Sequence, residues 1–361
     1  MKLQGSRLTR RAFLRTGVLL VGGASLGGLA VCARAQSPAP SKPAGSSAST
    51  AAQRAAPITL RLAHYWPTTS QYHQGAGLFA QMVKDATGGR IDIKIFPAEQ
   101  LVKSNEMYNA LSKGTVDMGY LVYVYFSSQF PWADAFTLPF VWKSNDAILQ
   151  TVSDKGFSDE VYRLTAADNA LILGWQQTGA IDYFTKKPVK TKADFKGILI
   201  RTSGGSAAAA TELLGAKSVS MSTAEVIDAL QRGTVDAVLT TGTEIATRQL
   251  YRSVPYGLLA SFRNNVLPLV ISKQAWDRLP ADLQQALVKV GQEWTPKAFA
   301  ITKALEKTSL DQMKANKMTL YTPTDAEVAD LKKVTQPLYE NYVKKNGQQG
   351  EKILGFLKKY N

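Results

Sequence analysis

The chain has 361 residues, with 43 Lys and Arg against 28 Asp and Glu, one Cys and two His. At roughly 100–200 residues per domain this length supports about two cored domains, while a single Cys excludes an internal disulfide framework or a Cys-based metal cluster, and two His exclude a three-His metal site. The net charge of +15 points first to nucleic acid or an anionic surface, subject to where the charges sit.

Residues 1–35 hold Lys2, Arg7, Arg10, Arg11, Arg15 and Arg34 and no acid, so six of the fifteen excess charges lie there. This basic start leads into the apolar run Gly17 to Val31 and then Ala33-Arg34-Ala35, the order of a secretory signal with a small-x-small cleavage site. With five glycines the run is too short and too weakly apolar to span a membrane stably. Thr9-Arg10-Arg11-Ala12-Phe13-Leu14-Arg15 resembles the twin-arginine (Tat) export motif, which predicts a periplasmic protein exported by that route. Cleavage after Ala35 removes the only cysteine and lowers the net charge to +9. A cut before Cys32 would make a lipoprotein instead, but Val31 is bulkier than the small residue such a cut prefers. Residues 36–57, rich in Ala, Ser and Pro, bury too little surface to offset their ordering entropy and read as a flexible linker.

The first strand pattern, residues 58–65, ends at Trp66-Pro67; a helical pattern over 71–87 is stopped by Gly88-Gly89, and residues 90–96 alternate as a half-buried strand does. Strands alternating with helices at this spacing predict an α/β fold with mostly parallel pairing. An internal echo is more informative. Asn109-Ala110-Leu111-Ser112-Lys113-Gly114-Thr115-Val116-Asp117 returns as Asp228-Ala229-Leu230-Gln231-Arg232-Gly233-Thr234-Val235-Asp236. Each copy closes an amphipathic helix with a basic residue and Gly, then enters an apolar strand, which predicts two related α/β lobes. A helical region over about 280–316, mildly interrupted near Pro296, and two more helical stretches, 325–346 and 349–359, complete the chain.

Phe96-Pro97-Ala98-Glu99-Gln100-Leu101, Leu138-Pro139-Phe140, Asp194-Phe195-Lys196-Gly197-Ile198-Leu199-Ile200-Arg201 and Leu214-Gly215-Ala216 follow in an order shared with a known family. Met221, Glu225, the second Gly-Thr-Val-Asp, Trp276 with Leu279-Pro280, and Tyr339 with Gly347 extend the match. The chain resembles the DctP-type solute-binding proteins of tripartite ATP-independent periplasmic (TRAP) transporters. That resemblance implies a periplasmic-binding-protein-like fold in which two α/β lobes surround a ligand cleft, with long C-terminal helices. It places the first lobe at about 57–178 and 268–306 and the second at about 179–267 and 307–361. It also implies a receptor that binds a small organic carboxylate and hands it to the membrane permease of a TRAP transporter, without a cofactor.

Arg201 ends an apolar strand, where an α/β sheet delivers side chains to a cleft, and its planar fork matches a carboxylate. The resemblance makes it the carboxylate clamp. Many family members carry a second Arg twenty residues earlier; here that position is Ile181, with Asp182 beside it, which speaks against a strongly dianionic ligand held by two arginines. Thr240 and Thr241 either bond ligand or cap the next helix near Glu244. Tyr65 and Trp66 end the first strand, where an aromatic wall suits an apolar or ring-bearing ligand body and core packing is the competing role. Tyr123 and Tyr125 share a strand face, and Tyr123 is the candidate for the cleft, with core packing the competing and favoured role; of Gln176 and Gln177 at a strand end, Gln177 is the candidate to supply an amide. His64 points away from Tyr65 and reads as structural.

An exported enzyme acting on a small organic acid, or a stand-alone sensor of the same fold, are the alternatives. No Gly-rich phosphate loop, Ser elbow or metal-ligand cluster stands in the sequence, and Arg201-Thr202-Ser203-Gly204-Gly205-Ser206 lacks the Lys-Ser/Thr of a nucleotide loop. Nucleic acid does not fit an exported chain without a basic aromatic stripe.

Overall fold

A computed structural model describes residues 56–166 and 169–361, so the expected signal segment with Cys32, and the expected linker up to residue 55, lie outside the described residues. In chain order the first part comprises β1 (Ile58–Ala63), α1 (Gln71–Ala86), β2 (Ile91–Phe96), α2 (Met107–Ser112), β3 (Met118–Tyr120), α3 (Asn145–Ser153), α4 (Lys155–Ala166) and β4 (Ala170–Gln177). The middle comprises β5 (Ile181–Thr185), β6 (Leu199–Thr202), α5 (Gly205–Leu213), β7 (Lys217–Ser220), α6 (Val226–Arg232), β8 (Ala237–Thr241), α7 (Gly242–Thr247) and β9 (Tyr256–Arg263). The chain ends with β10 (Val266–Ser272), α8 (Lys273–Asp277), α9 (Ala281–Ala315), β11 (Thr319–Tyr321) and α10 (Asp325–Lys358).

These strands form two sheets, ordered β2-β1-β3-β10-β4 and β7-β6-β8-β5-β9-β11. Written this way, the first five strands of each sheet occupy matching places, and each sheet is the centre of one α/β lobe. The expected mostly parallel pairing holds for only part of each sheet. β2-β1-β3 and β7-β6-β8 are parallel, whereas β10 runs antiparallel to β3 and β4, and β5 antiparallel to β8 and β9. The reason is the exchange of strands between lobes. β4 passes into β5 through residues 178–180 and β9 passes back into β10 through Asn264 and Asn265, so β10 and β5 enter their sheets against the direction of the parallel strands.

The echoed nonapeptide explains the likeness of the lobes. Both copies end a helix at a left-handed glycine, Gly114 (φ 68°) and Gly233 (φ 73°), a conformation that a side chain at Cβ disfavours. Both then use the Asp in the same way. Asp117 accepts from the Arg61 N–H at 2.8 Å and donates its own N–H to the Arg61 carbonyl at 3.1 Å, while Asp236 does so with Leu199 at 3.2 and 2.7 Å. The Asp therefore pins the start of the central strand to the parallel strand beside it.

α9 packs on α1 and β4 of the first lobe and on α7 of the second. At Gly291 a Cβ atom would lie 1.8 Å from the Leu173 carbonyl oxygen, so the helix backbone rests directly on β4. The helix continues through Pro296, and the Thr295 hydroxyl next to it accepts from the Trp175 N–H at 3.0 Å. Further along, Glu306 accepts from the Ala180 N–H at 2.8 Å and thereby holds one crossing segment. The other is tied to it by Thr178, whose N–H donates to the Asn265 carbonyl at 2.9 Å and whose hydroxyl accepts from the Asn265 N–H at 3.1 Å. The two expected C-terminal helices are the halves of α10, divided at Gly347 (φ 52°, ψ −140°). α10, expected with the second lobe, lies on α5 and also reaches residues assigned to the first: Tyr342 and Tyr339 donate to the Trp132 and Pro139 carbonyls at 2.8 and 2.6 Å. Lys352 also pairs with Glu160 at 2.6 Å.

Candidate ligand-binding cavity

Between the sheets lies a cavity of about 90 Å³. Its walls differ in chemistry. The first lobe supplies Tyr65, Trp66, Tyr72, Val122, Val124 and Tyr125, an aromatic and aliphatic half. Trp66 stacks on Tyr65 with ring centroids 3.8 Å apart and on Tyr72 at 3.6 Å, so three rings form one continuous face. Burial pushes the Tyr65 and Tyr72 hydroxyls well above the usual range, so both stay protonated. The second lobe supplies Arg201, Thr223, Thr240, Thr241, Glu244 and Arg263, a polar and charged half. Hydrogen bonds close the cleft around it: the Gln71 amide donates to the Thr243 hydroxyl at 3.3 Å, and the Thr137 and Ser206 hydroxyls meet at 2.5 Å.

Arg201 stands near the C-terminal end of β6 and is buried. Its Nε and Nη2 both donate to the Met221 carbonyl, at 3.1 and 2.8 Å, and Nη2 also reaches the Thr223 hydroxyl at 3.3 Å. One edge of the guanidinium is thus anchored to backbone, which sets its plane, and Nη1 has no partner among the described residues. Glu244, which also lines the cavity, pairs with Arg248 one turn along α7. Among the described residues no group of His, Cys, Asp and Glu is arranged to hold a metal ion.

The model of the bacterial extracellular solute-binding protein family 7, DctP, matches residues 62–346. The chain belongs to this family. It is 26% identical over 301 residues to the C4-dicarboxylate-binding periplasmic protein DctP of Rhodobacter capsulatus, covering 82% of this chain and 89% of that protein. Among solved structures it is similar to the sugar acid binding protein of Advenella mimigardefordensis in complex with galactonate, with a TM-score of 0.80 at 19% identity, over 84% of this chain and 99% of that one. A TRAP periplasmic solute binding protein of Chromohalobacter salexigens with bound D-glucuronate aligns with a TM-score of 0.79 at 18% identity, over 84% and 100% of the two chains. These likenesses show the two-lobe fold of periplasmic solute-binding proteins. The chain is accordingly a solute-binding protein, and its relatives are periplasmic.

Of the residues singled out in the sequence, Arg201, Tyr65, Trp66 and Thr240 line the cavity. The two threonines divide the roles left open for them. Thr241 caps α7, its hydroxyl accepting from the Glu244 N–H at 3.2 Å, while the Thr240 hydroxyl has no partner among the described residues. Tyr123 does not reach the cavity. β3 ends at Tyr120, and residues 123–126 form a 3₁₀ turn, so Tyr123 and Tyr125 do not alternate as strand residues would. Tyr125 faces the cavity, and Tyr123 packs among Phe130, Trp132 and Phe136 with its hydroxyl 3.3 Å from that of Thr165. Gln177 is also displaced: its amide donates to the Phe299 carbonyl of α9 at 3.3 Å, and the next residue, Thr178, lines the cavity instead. Gln176 is spent on Tyr120 and the Gln71 carbonyl, each at 2.8 Å. His64 is buried against His73, 3.2 Å away, and burial lowers it to about 4, as befits a neutral structural histidine.

Sequence reasoning missed Tyr72, Glu244 and above all Arg263. The signal for Arg263 was present, because a lone Arg at the end of an apolar strand is the same pattern as Arg201. It went unread because only the register of β9 against β5 brings it to the cavity.

Proposed function

We propose that this DctP-family protein captures a small organic carboxylate in the periplasm and delivers it to the membrane permease of a TRAP transporter. The observation that carries this reading is Arg201, a buried guanidinium fixed along one edge by the Met221 carbonyl and left with Nη1 for a ligand. A carboxylate placed there gains charge-assisted hydrogen bonds in a setting shielded from water. The opposing Tyr65, Trp66 and Tyr125 would cover the ligand's carbon frame. In this closed form the cavity suits a compact acid. Binding and release follow from the two crossing segments, which let the lobes part while α9 stays continuous.

Export by the twin-arginine route, from the motif at Arg10 and Arg11, supports the periplasmic placement. Delivery to a permease is drawn from the family and from the structural relative described as a TRAP protein. A receptor rather than an enzyme is the reading that a family of binding proteins supports. A thermal-shift screen over small carboxylates, followed by calorimetry, tests the proposal, because a ligand that binds only the folded state raises its melting temperature. Arg201→Ala is expected to weaken binding by a few kcal/mol, roughly a hundredfold or more. Near-unchanged affinity in that variant, or no carboxylate bound by the wild type, would overturn the assignment.

A further inference from the structure

We propose that Arg263 is a second ligand-binding cation of this cavity and that the cargo is a compact dianion. The inference rests on the carboxylate reading of Arg201. Arg263 is 2% exposed and lines the cavity, yet its guanidinium makes no hydrogen bond or ion pair among the described residues, and its Nε is buried without a partner. A buried cation left in this way costs several kcal/mol in the empty protein, so its retention calls for an anion that arrives later. Tyr183 and Asp134 are the groups that face it electrostatically, but Asp134 is engaged by Ser127 at 2.5 Å and Lys345 at 3.6 Å.

The position of Arg263 answers the gap at Ile181. In the sheet Ile181 pairs directly with Arg263, so the guanidinium missing from β5 is supplied by the adjacent strand at the same level. A bulge creates this register. Between the pairs Ile181–Arg263 and Tyr183–Leu258, β9 carries Leu259 to Phe262 opposite the single residue Asp182. The Asp182 carboxylate holds the bulge by accepting from the Ala260 and Phe262 N–H groups, both at 3.0 Å. Asp182 is therefore a positioning residue for Arg263. Two strands, β5 and β8, separate Arg263 from Arg201, and Arg263 lies level with Thr241 of β8 whereas Arg201 lies level with Val238; three strand spacings of ~4.8 Å across and three residues of ~3.3 Å along set their backbones about 17 Å apart. A ligand between them meets a cation on either side, and Glu244, the one carboxylate that lines the cavity among the described residues, is already matched by Arg248. Two positive charges thus remain for the cargo.

The test is calorimetry on the full chain at pH 7.5 with matched probes: succinate, glutarate and phthalate, each against its own monoamide. At least one dicarboxylate is expected to bind about thirtyfold or more tightly than its monoamide, and Arg263→Gln to cut that ratio below about threefold while monoamide binding persists. Arg201→Gln should weaken both members of the pair. If circular dichroism shows that Arg263→Gln is unfolded, Arg263→Lys takes its place; it keeps the charge without the fork and should retain only part of the ratio. An unchanged ratio in the variant, or binding confined to monoanions, overturns the inference and leaves the role of Arg201 standing. No binding of any acid overturns the carboxylate reading beneath it.

Discussion

Replacing Arg263 by Met should make the empty protein more stable. Burial lowers the guanidinium from its ordinary value to about 10, which corresponds to about 3 kcal/mol against the charged form in the fold. Because the folded value lies below the unfolded one, the penalty is fully present at every pH below about 10 and is relieved only as the pH rises through that value. At neutral pH the whole of it counts. Met is neutral and flexible enough to fill the space left by the Arg stem, so most of the 3 kcal/mol should be recovered. At roughly 2 °C per kcal/mol for a chain of this size, the melting temperature should rise on the order of 5 °C. The assay is thermal unfolding of protein refolded from denaturant to strip bound ligand, with and without the best acid of the screen. Wild type should gain more stability from that acid than the variant, which keeps only the contribution of Arg201. A melting temperature equal to or below that of wild type would refute the reasoning, because it would mean that Arg263 is already satisfied in the empty fold.

Two further predictions concern the scaffold around the cavity. Asp182 is raised from 3.8 to about 7 by burial; the folded chain therefore binds more protons than the unfolded one between pH 4 and 7, and stability falls across that window by about 4 kcal/mol as the pH rises. Asp182→Asn keeps the acceptor for Ala260 and Phe262 and should remove that slope in urea unfolding compared at pH 5 and pH 8; parallel profiles for variant and wild type would contradict it. Gly291→Ala would set a methyl group 1.8 Å from the Leu173 carbonyl oxygen, a backbone atom that cannot swing aside. The expected cost is at or above the usual 1–3 kcal/mol of overpacking, read as a lower urea midpoint with an unchanged slope, and an unshifted midpoint would show that α9 can lift from β4.

The sequence by itself determined the first strand–helix–strand unit, the C-terminal helices, the echo at Asp117 and Asp236, and Arg201 as the residue to watch. Those features are local: a glycine that needs a positive φ, an apolar period, an Asp placed to bond the adjoining strand. The residues that it misplaced depend on how distant segments meet. Tyr123 and Tyr125 exchanged roles because β3 stops at Tyr120, and Gln177 was claimed by a carbonyl of α9, well over a hundred positions later in the chain. Ile181 read in isolation is the loss of a cation and argues against a dianion. Paired with Arg263 across a bulge held by Asp182, it becomes a cation moved to the next strand. Strand register decides this, and register is fixed by long-range pairing that a linear pattern does not contain.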